Sequence, residues 1–305
     1  MKKLTKLVVI ALCACLALFA FAACGNATFD REGVIAAVTR EEGSGSRSAF
    51  MESVFGSGYA QIQLPVDVTG QTSTPNVRAF VTSNAQSIGY DSFGQLTAGG
   101  TDGLRILSVD GIMPSLTTIQ NGTYGIARPF IVAYRTGDNK SAAAREFHRF
   151  LSSTEAHAVM TSDAVALTPR GTPAAFSQTA GTTGTVNIVG STSVLPAMNR
   201  LRERFLELTT GITVTVGGGG SGAGRTAIST GTADFGMVSS AMSATHVALI
   251  NTGAPADYSV FADDAIAVIV HASNPLTNIT TAQLQRIFNR ESDPHYLRWS
   301  DFMPA

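Results

Sequence analysis

The alternation of short apolar segments with amphipathic ones is the feature that most constrains the fold of this chain. In VLPAMNRLRERFLEL, the apolar residues Met198, Leu201 and Phe205 recur at helical spacing with charged side chains between them. Short apolar strands that alternate with such helices predict an α/β fold with buried sheets. The predicted strands cover residues 34–38, 87–90, 104–109, 130–134, 186–189, 212–216, 233–238 and 265–271. The predicted helices cover residues 46–54, 141–151, 193–208, 224–229 and 280–288, and residues 176–185 predict a linker or exposed loop.

The first 24 residues predict an export signal that is excluded from the fold. Three lysines precede an apolar run over residues 7–23, which ends in small residues. This is the layout of a secretory signal peptide. An uncleaved membrane helix is the alternative, because an apolar run of this length is near the lower limit for spanning a bilayer.

The end of this segment predicts a lipid anchor. Residues 21–25, FAACG, resemble a bacterial lipobox, although Leu is usual where Phe21 stands. Cys24 is therefore the predicted lipidation site, where acyl chains such as palmitate would hold the protein at the extracytoplasmic face of the cell membrane. Cys13 and Cys15 would leave with the signal, and residues 25–305 contain no cysteine. The mature chain is thus expected to have no disulfide and no thiolate metal site.

Composition and missing motifs argue against several functions. The net charge of -1 argues against nucleic-acid binding, which needs a basic face. The five histidines have no metal-binding spacing, and no GxSxG hydrolase motif is present. Residues 219–226, GGSGAGRT, approximate a nucleotide-binding P-loop, but Arg225 stands where that loop has lysine. We therefore expect no enzyme activity, no metal and no cofactor.

Three turns rich in glycine and hydroxyl groups carry the chemistry. They are TREEGSGSR at 39–47, GSTS at 190–193 and GGGGSGAG at 217–224, and each follows a predicted strand and opens a helix. Glycine lets backbone approach a ligand closely, and the free N–H groups of a helix start favour negative charge. One such turn could be a plain loop or an N-cap. Three in one chain predict an oxyanion-binding site.

These segments resemble the substrate-binding protein of bacterial phosphate ABC transporters. The resemblance lies in GTVNIVGSTSVLPAMNRLRERF and ITVTVGGGGSGAGRTAISTGTADFGMVSS, and in VIAAVTREEGSGSRSAF, SIGYDSFGQL and YGIARPFIVAY. In that family the GSTSV section comes first, whereas here the REEGSGS section does. The chain is therefore interpreted as a circular permutant, which is plausible where termini lie close together. A misassembled gene with pieces of two tandem copies is the alternative.

The resemblance implies a two-lobed, periplasmic-binding-protein-like (type II) fold with a hinge and an interlobe cleft. One lobe would combine residues 28–125 with 264–305, and the other would be contiguous over 126–263. The implied function is that of an extracytoplasmic lipoprotein that binds inorganic phosphate in the cleft and delivers it to ABC transporter permease subunits. The alternatives are another oxyanion, a phosphate-sensing module without transport, and a non-functional fragment.

The resemblance also assigns roles to individual residues. Arg40 would supply charge to the phosphate, and Glu42 would hold its guanidinium, although a surface ion pair of Arg40 with a neighbouring glutamate is an alternative. The donors expected around the phosphate are Ser44, Gly45, Ser46, Ser191, Thr192, Ser193, Ser221 and Gly222. Many family members have Arg where this chain has Ser240, so the charge is expected to come from Arg40.

Asp234 is assigned the role of discriminating between anions. A carboxylate in an anion site makes sense when the ligand still carries a proton, as phosphate does at neutral pH and sulfate does not. Asp234 is therefore expected to face Arg40 across the cleft and to reject sulfate. The alternative is that Asp234 is an ordinary turn residue.

Overall fold

The computed structural model describes residues 28–56, 59–65, 68–137, 140–162, 165–289 and 297–303. The predicted signal segment and Cys24 lie outside these ranges, so the acylation of Cys24 stays a prediction. Among the helices described, none combines the length and the apolar character needed to cross a membrane.

Strands and helices alternate along the chain, as the sequence predicts. The strands are β1 (Ala36–Arg40), β2 (Thr69–Gln71), β3 (Ser87–Ser92), β4 (Leu104–Ile106), β5 (Ser108–Val109), β6 (Ala127–Arg135), β7 (Thr168–Pro169), β8 (Gly184–Gly190), β9 (Ile212–Gly217), β10 (Phe235–Val238), β11 (Ala256–His271) and β12 (Asn278–Ile279). The α-helices are α1 (Gly45–Phe55), α2 (Thr74–Ser83), α3 (Phe93–Gly99), α4 (Leu116–Gln120), α5 (Ala142–Leu151), α6 (Thr154–Met160), α7 (Leu195–Glu207), α8 (Gly220–Thr230), α9 (Ala244–Ile250) and α10 (Thr281–Phe288).

The first lobe is built on a sheet with β1 and β3 at its centre. Strand β1 pairs in parallel with β2 and β3, and β3 pairs in antiparallel fashion with the second half of β11. Helices α1 and α10 cover one face, where Phe50 stacks on Tyr90 and meets the edge of Phe288. Val77 and Val81 of α2 pack on the other face. Both faces of the sheet are therefore buried, as is usual for parallel strands.

The second lobe has its own sheet and its own core. Strand β8 pairs in parallel with β9 and β10, and β10 pairs with β6 in antiparallel fashion. Helices α5 and α7 place Phe147, Phe150 and Phe205 in one aromatic cluster together with Phe235 of β10. Ile228 of α8 packs on the opposite face of the sheet.

Strand β11 connects the two lobes. Its first half pairs with β6, from Ala256 opposite Arg135 to Ala265 opposite Ala127. Its second half, from Ile266 onward, pairs with β3 of the other sheet. The α/β fold with two lobes and a cleft between them is thus confirmed. The lobe limits expected from the sequence stay a prediction.

Several elements differ from the sequence prediction in extent. The predicted strand over 265–271 is the second half of a strand that begins at Ala256, and the predicted strand over 104–109 is two short strands. Helix α8 begins at Gly220, so half of the glycine-rich turn forms its first turn. The predicted linker at 176–185 is partly packed, because Phe176 lies against Phe150 and Phe205. The short, polar helices α2, α3, α4, α6 and α9 were not predicted, since each buries few apolar residues.

Candidate anion-binding site

The three turns singled out in the sequence meet between the lobes. Ser44 is the N-cap of α1 and accepts a bond from Arg47 N. From the second lobe, Gly222 N in the first turn of α8 donates to Gly43 O at 3.2 Å. Gln95 adds another contact between the lobes, because its Nε2 donates to the carbonyl oxygens of Thr192 and Ser193. The lobes therefore touch at the starts of α1, α7 and α8.

Hydroxyl groups from both lobes form a buried cluster at this contact. Ser46 Oγ lies 2.6 Å from Ser193 Oγ, which is 3.1 Å from Thr74 Oγ1. Beside them, Ser191 Oγ donates to Ser239 Oγ at 2.8 Å. All of these residues are buried, as are Ser44 and Ser221. We call this group, together with Arg40 and Arg128, the interlobe cluster.

Gly45 is required by the closeness of the two lobes. A Cβ atom at this position would come within 2.6 Å of Ser239 Oγ and closer still to Ser221 Oγ. Both hydroxyls belong to the second lobe, so any side chain at this position would displace them or move α1 away from the second lobe.

Helices α7 and α8 differ from the other described α-helices at their N-termini. Those other helices all carry a Ser or Thr N-cap whose side chain accepts a backbone N–H. The N-cap residues of α7 and α8 are Val194 and Gly219, and neither makes a side-chain cap bond. Both helices begin at the interlobe cluster, so their first N–H groups favour a negative charge there.

Arg40 lies in the cluster and is almost fully buried. Its Nη1 donates to Thr74 Oγ1 at 2.7 Å and its Nη2 to Thr192 Oγ1 at 3.2 Å. The guanidinium is held by Glu41, which accepts from Nε and Nη2. The expected partner Glu42 is exposed, so the expectation that Glu42 holds the Arg40 guanidinium is corrected to Glu41. Strand β1 ends at Arg40 and the chain turns at residues 42 and 43, so the alternation of side chains along a strand, which would favour Glu42, no longer applies there.

Arg128 is a member of the cluster that the sequence reasoning missed. Its Nε and Nη2 both donate to Asp264 Oδ2, at 3.1 and 2.9 Å, and its Nη1 donates to Ser46 Oγ at 2.7 Å. Arg128 and Asp264 are both buried and lie where β6 and β11 pass between the lobes. A charged residue within the apolar stretch YGIARPFIVAY was the signal that could have identified it.

The structure does not bring Asp234 to the cluster. Asp234 precedes β10, and its Oδ2 accepts from Asn187 N at 2.8 Å. Ser239 stands five residues further on, roughly 16 Å away at about 3.3 Å per strand residue. Asp234 therefore does not face Arg40, because the two lie at opposite ends of their strands. It lines a separate cavity of about 150 Å³ with Arg135 and Lys140.

Two buried residues near the end of β3, Tyr90 and Asp91, have shifted pKa values, and Tyr90 contacts the backbone of Arg40. Tyr90 OH lies 2.6 Å from Thr39 Oγ1 and accepts from Arg40 N, and burial raises the pKa of Tyr90. Asp91 accepts from Nε and Nη2 of Arg78. Burial raises the pKa of Asp91 to about 6, against the opposing effect of Arg78.

The cluster brings hydrogen-bond donors together from both lobes, as the binding of a compact oxyanion requires. Two guanidiniums, several hydroxyls and two helix N-termini converge there, and charge-assisted bonds of this kind are strong. Across the described ranges, no group of three or more His, Cys, Asp and Glu residues is arranged to hold a metal ion.

The two lobes and the donors between them define a periplasmic-binding-protein-like protein. The family model described as a PBP superfamily domain matches residues 176–305. The crystal structure of a phosphate ABC transporter phosphate-binding protein from Streptococcus pneumoniae TIGR4 matches with a TM-score of 0.66 and 28% identity, over 89% of this chain and 100% of that one.

Curated relatives make the assignment more specific. Phosphate-binding protein PstS 2 of Streptococcus pneumoniae serotype 4 is 31% identical over 280 residues, which cover 89% of this chain and 91% of that protein. Phosphate-binding protein PstS 2 of Streptococcus agalactiae serotype V is 30% identical over 308 residues, or 99% of each chain. The chain belongs to the PstS family of phosphate-binding proteins.

The same matches bear on the unusual order of the sections. Each match runs through nearly the whole length of both proteins, so these relatives carry the sections in the order found here. The order is a shared property of these relatives, and this argues against a gene misassembled from two tandem copies.

Proposed function

We propose that this protein binds inorganic phosphate in the interlobe cluster and delivers it to the permease subunits of an ABC importer. The observation that carries the proposal is the convergence of donors from both lobes, with Arg40 and Ser46 on one side and Ser193 and Ser221 on the other. A ligand held from both sides stabilises the closed form, because only that form makes all of the contacts. The family membership supports the same ligand class.

The proposal includes the lobe limits and the anchor. The lobes are residues 28–125 with 264–305, and residues 126–263, and they move about the two strands β6 and β11. Buried side chains support this division, since one core draws on residues 130–262 and another on 35–126 and 265–302. Acylation of Cys24 would keep the protein at the extracytoplasmic face, close to the permease.

The protein is proposed to bind its ligand without turning it over. The two arginines of the cluster are held by ion pairs with Glu41 and Asp264, and within the described part of the chain no histidine hydrogen-bonds to the serines of the cluster. A serine nucleophile needs an adjacent base, so this arrangement suits retention and release of an intact anion.

We assign the discrimination against sulfate to Glu41. Its carboxylate is bonded to Arg40 at the cluster, and its side chain keeps 31% of its surface exposed. A carboxylate has about four acceptor positions, so two bonds from Arg40 leave room for a proton from the ligand. Phosphate can supply that proton and sulfate cannot. Glu41→Gln should therefore reduce the difference in affinity between phosphate and sulfate, measured in parallel titrations.

Calorimetric titration of the purified protein tests the proposed function. Phosphate is expected to bind with micromolar or tighter affinity, and sulfate at the same concentrations is expected to give no binding heat. Failure of phosphate to bind would contradict the proposal, and equal binding of the two anions would remove the argument for Glu41.

A further inference from the structure

Arg225 is a buried guanidinium without a carboxylate partner. The described chain contains three buried arginines, of which Arg40 pairs with Glu41 and Arg128 pairs with Asp264. Arg225 is only 6% exposed, forms no ion pair with any described residue, and its Nη1 has no hydrogen-bond partner there. A buried charge is costly unless it is paired, so this position calls for an anion.

Two further unpartnered polar atoms lie in the segment that packs against Arg225. Ser240 Oγ is buried without a hydrogen-bond partner among the described residues, and so is His246 Nδ1. Ser239 N donates to Ser221 Oγ, which ties this segment to the first turn of α8. Arg225 follows Ser221 by four residues and therefore lies on the same face of that helix. Burial lowers the pKa of His246, and the positive charge of Arg225 nearby lowers it further.

This group of atoms borders the interlobe cluster. Ser221 and Ser239 belong to that cluster and lie against the Gly45 position of the first lobe, and Ser240 directly follows Ser239. Burial lowers the pKa of Arg225, and Tyr59 of the first lobe opposes this effect. Arg225 therefore lies one helical turn from Ser221, which is at the boundary between the lobes, and Ser240 lies one residue beyond Ser239 at the same boundary.

The charge balance of the site indicates what this extension would take. Arg40 and Arg128 are each neutralised by a carboxylate bonded through two nitrogens. The guanidinium of Arg225 is the buried one whose charge is not balanced within the described residues. A second negative group, attached to a phosphorus-centred anion in the cluster, would balance it and would satisfy Ser240 Oγ.

We propose that Arg225 and Ser240, which lie beside His246, form a second anion-binding subsite next to the interlobe cluster, so that the protein also binds phosphonates or phosphate esters that carry a second anionic group. This inference rests on the proposed function, because the phosphorus-centred group occupies the proposed phosphate site. Phosphonoacetate has the required second charge, and ethylphosphonate is a similar ligand that lacks it.

Calorimetric titrations of phosphate, phosphonoacetate and ethylphosphonate test the subsite. Wild-type protein should bind phosphonoacetate at least tenfold more tightly than ethylphosphonate. Arg225→Gln should remove that preference and change the affinity for phosphate by less than threefold. Arg200→Gln removes the same charge from an exposed position of the same lobe and should change none of the three affinities.

The possible outcomes separate this inference from the proposed function. If phosphate binds but phosphonoacetate is not preferred over ethylphosphonate, the subsite is wrong and the proposed function stands. Equal losses for all three ligands in Arg225→Gln would also overturn the subsite, because Arg225 would then act on the shared group or on the fold. If phosphate fails to bind and phosphonoacetate binds through Arg225, the proposed function fails instead. Should Arg225→Gln not fold, the wild-type comparison and Ser240→Ala test the subsite instead. Ser240→Ala should then reduce the preference for phosphonoacetate over ethylphosphonate, and an unchanged preference would count against the subsite.

Discussion

The two ends of the second-lobe sheet differ in how their polar groups are satisfied. At the carboxyl ends of β8 and β10, Ser191 and Ser193 share hydrogen bonds with residues that come from other elements and from the other lobe. At the amino ends, Asp234 is bonded to the adjacent strand at Asn187 N. Ligands of open α/β sheets bind outside the carboxyl ends of the strands. The difference shows that strand direction, rather than residue type, decides which polar residues reach the cleft.

The end of the second-lobe sheet where β8 and β10 begin, which we call the outer end, is also polar. Its polar groups bond to residues close by. Arg135 donates to the carbonyl oxygens of Ile228 and Ser229. Lys140 Nζ lies over the Tyr134 ring and 2.6 Å from His148 Nδ1, and burial lowers the pKa of Lys140 to about 8. The donors of Arg135 and Lys140 thus have protein partners without a ligand, so substitutions at the two ends should have different effects.

The largest difference is expected between the two arginines of β6. Arg128→Met would leave Asp264 buried without its partner, and breaking a buried pair in this way costs about 3–5 kcal/mol. Arg135→Met at the outer end of the same strand removes hydrogen bonds to neutral carbonyls and should cost only about 1–2 kcal/mol. Urea unfolding of both variants measures these free energies. Equal losses of unfolding free energy would show that the Arg128–Asp264 ion pair stabilises the fold no more than the hydrogen bonds of Arg135 do.

The next largest effect concerns ligand affinity. Arg40→Ala removes a charged donor from the interlobe cluster and should weaken phosphate binding by about 1.5–3 kcal/mol, roughly ten- to hundredfold in Kd. Lys140→Met removes a positive charge at the outer end and should leave Kd unchanged within error. Calorimetry provides both values, and an unchanged affinity in Arg40→Ala would place that side chain outside the ligand's contacts.

A smaller effect is expected from the backbone contact between the lobes. Gly45→Ala places a methyl group against Ser221 and Ser239, and overpacking of this kind costs about 1–3 kcal/mol. The cost falls on the closed form alone, so phosphate affinity should drop while the unfolding free energy of the ligand-free protein changes less. Gly70→Ala has open space around its Cβ position and is the matched control. A loss of stability without a loss of affinity would contradict this account of closure.

Much of the fold could be predicted because its elements are marked locally. Apolar strands and the periodicity of α7 indicate an α/β fold, and the glycine-rich turns indicate where donors would converge. The pairing of β11 with both sheets depends on contacts between distant segments, and no local pattern marks where that strand leaves one sheet for the other. The short helices escaped prediction because, as in α2, two or three buried residues suffice to anchor them.

The site was predicted where the chemistry lies within a turn and missed where it depends on position in the sheet. The serines of the three turns do meet, because each turn follows the carboxyl end of a strand. Arg128 lies inside an apolar strand, and its ion-pair partner Asp264 is 136 positions further along the chain. Asp234 was misplaced because the residue type fitted the chemistry of phosphate while its position at the start of β10 did not.

The smallest effect is therefore expected at Asp234. Asp234→Asn keeps an acceptor for Asn187 N and lies a whole strand away from the interlobe cluster. Phosphate affinity and the preference over sulfate should both stay within about 0.5 kcal/mol of the wild-type values, which is the usual range for substitutions away from a site. Parallel phosphate and sulfate titrations of Asp234→Asn and Glu41→Gln make the comparison direct. If sulfate binding appeared in Asp234→Asn and not in Glu41→Gln, the ligand would have to lie at the outer end of the sheet, and the difference drawn between the two ends would be wrong.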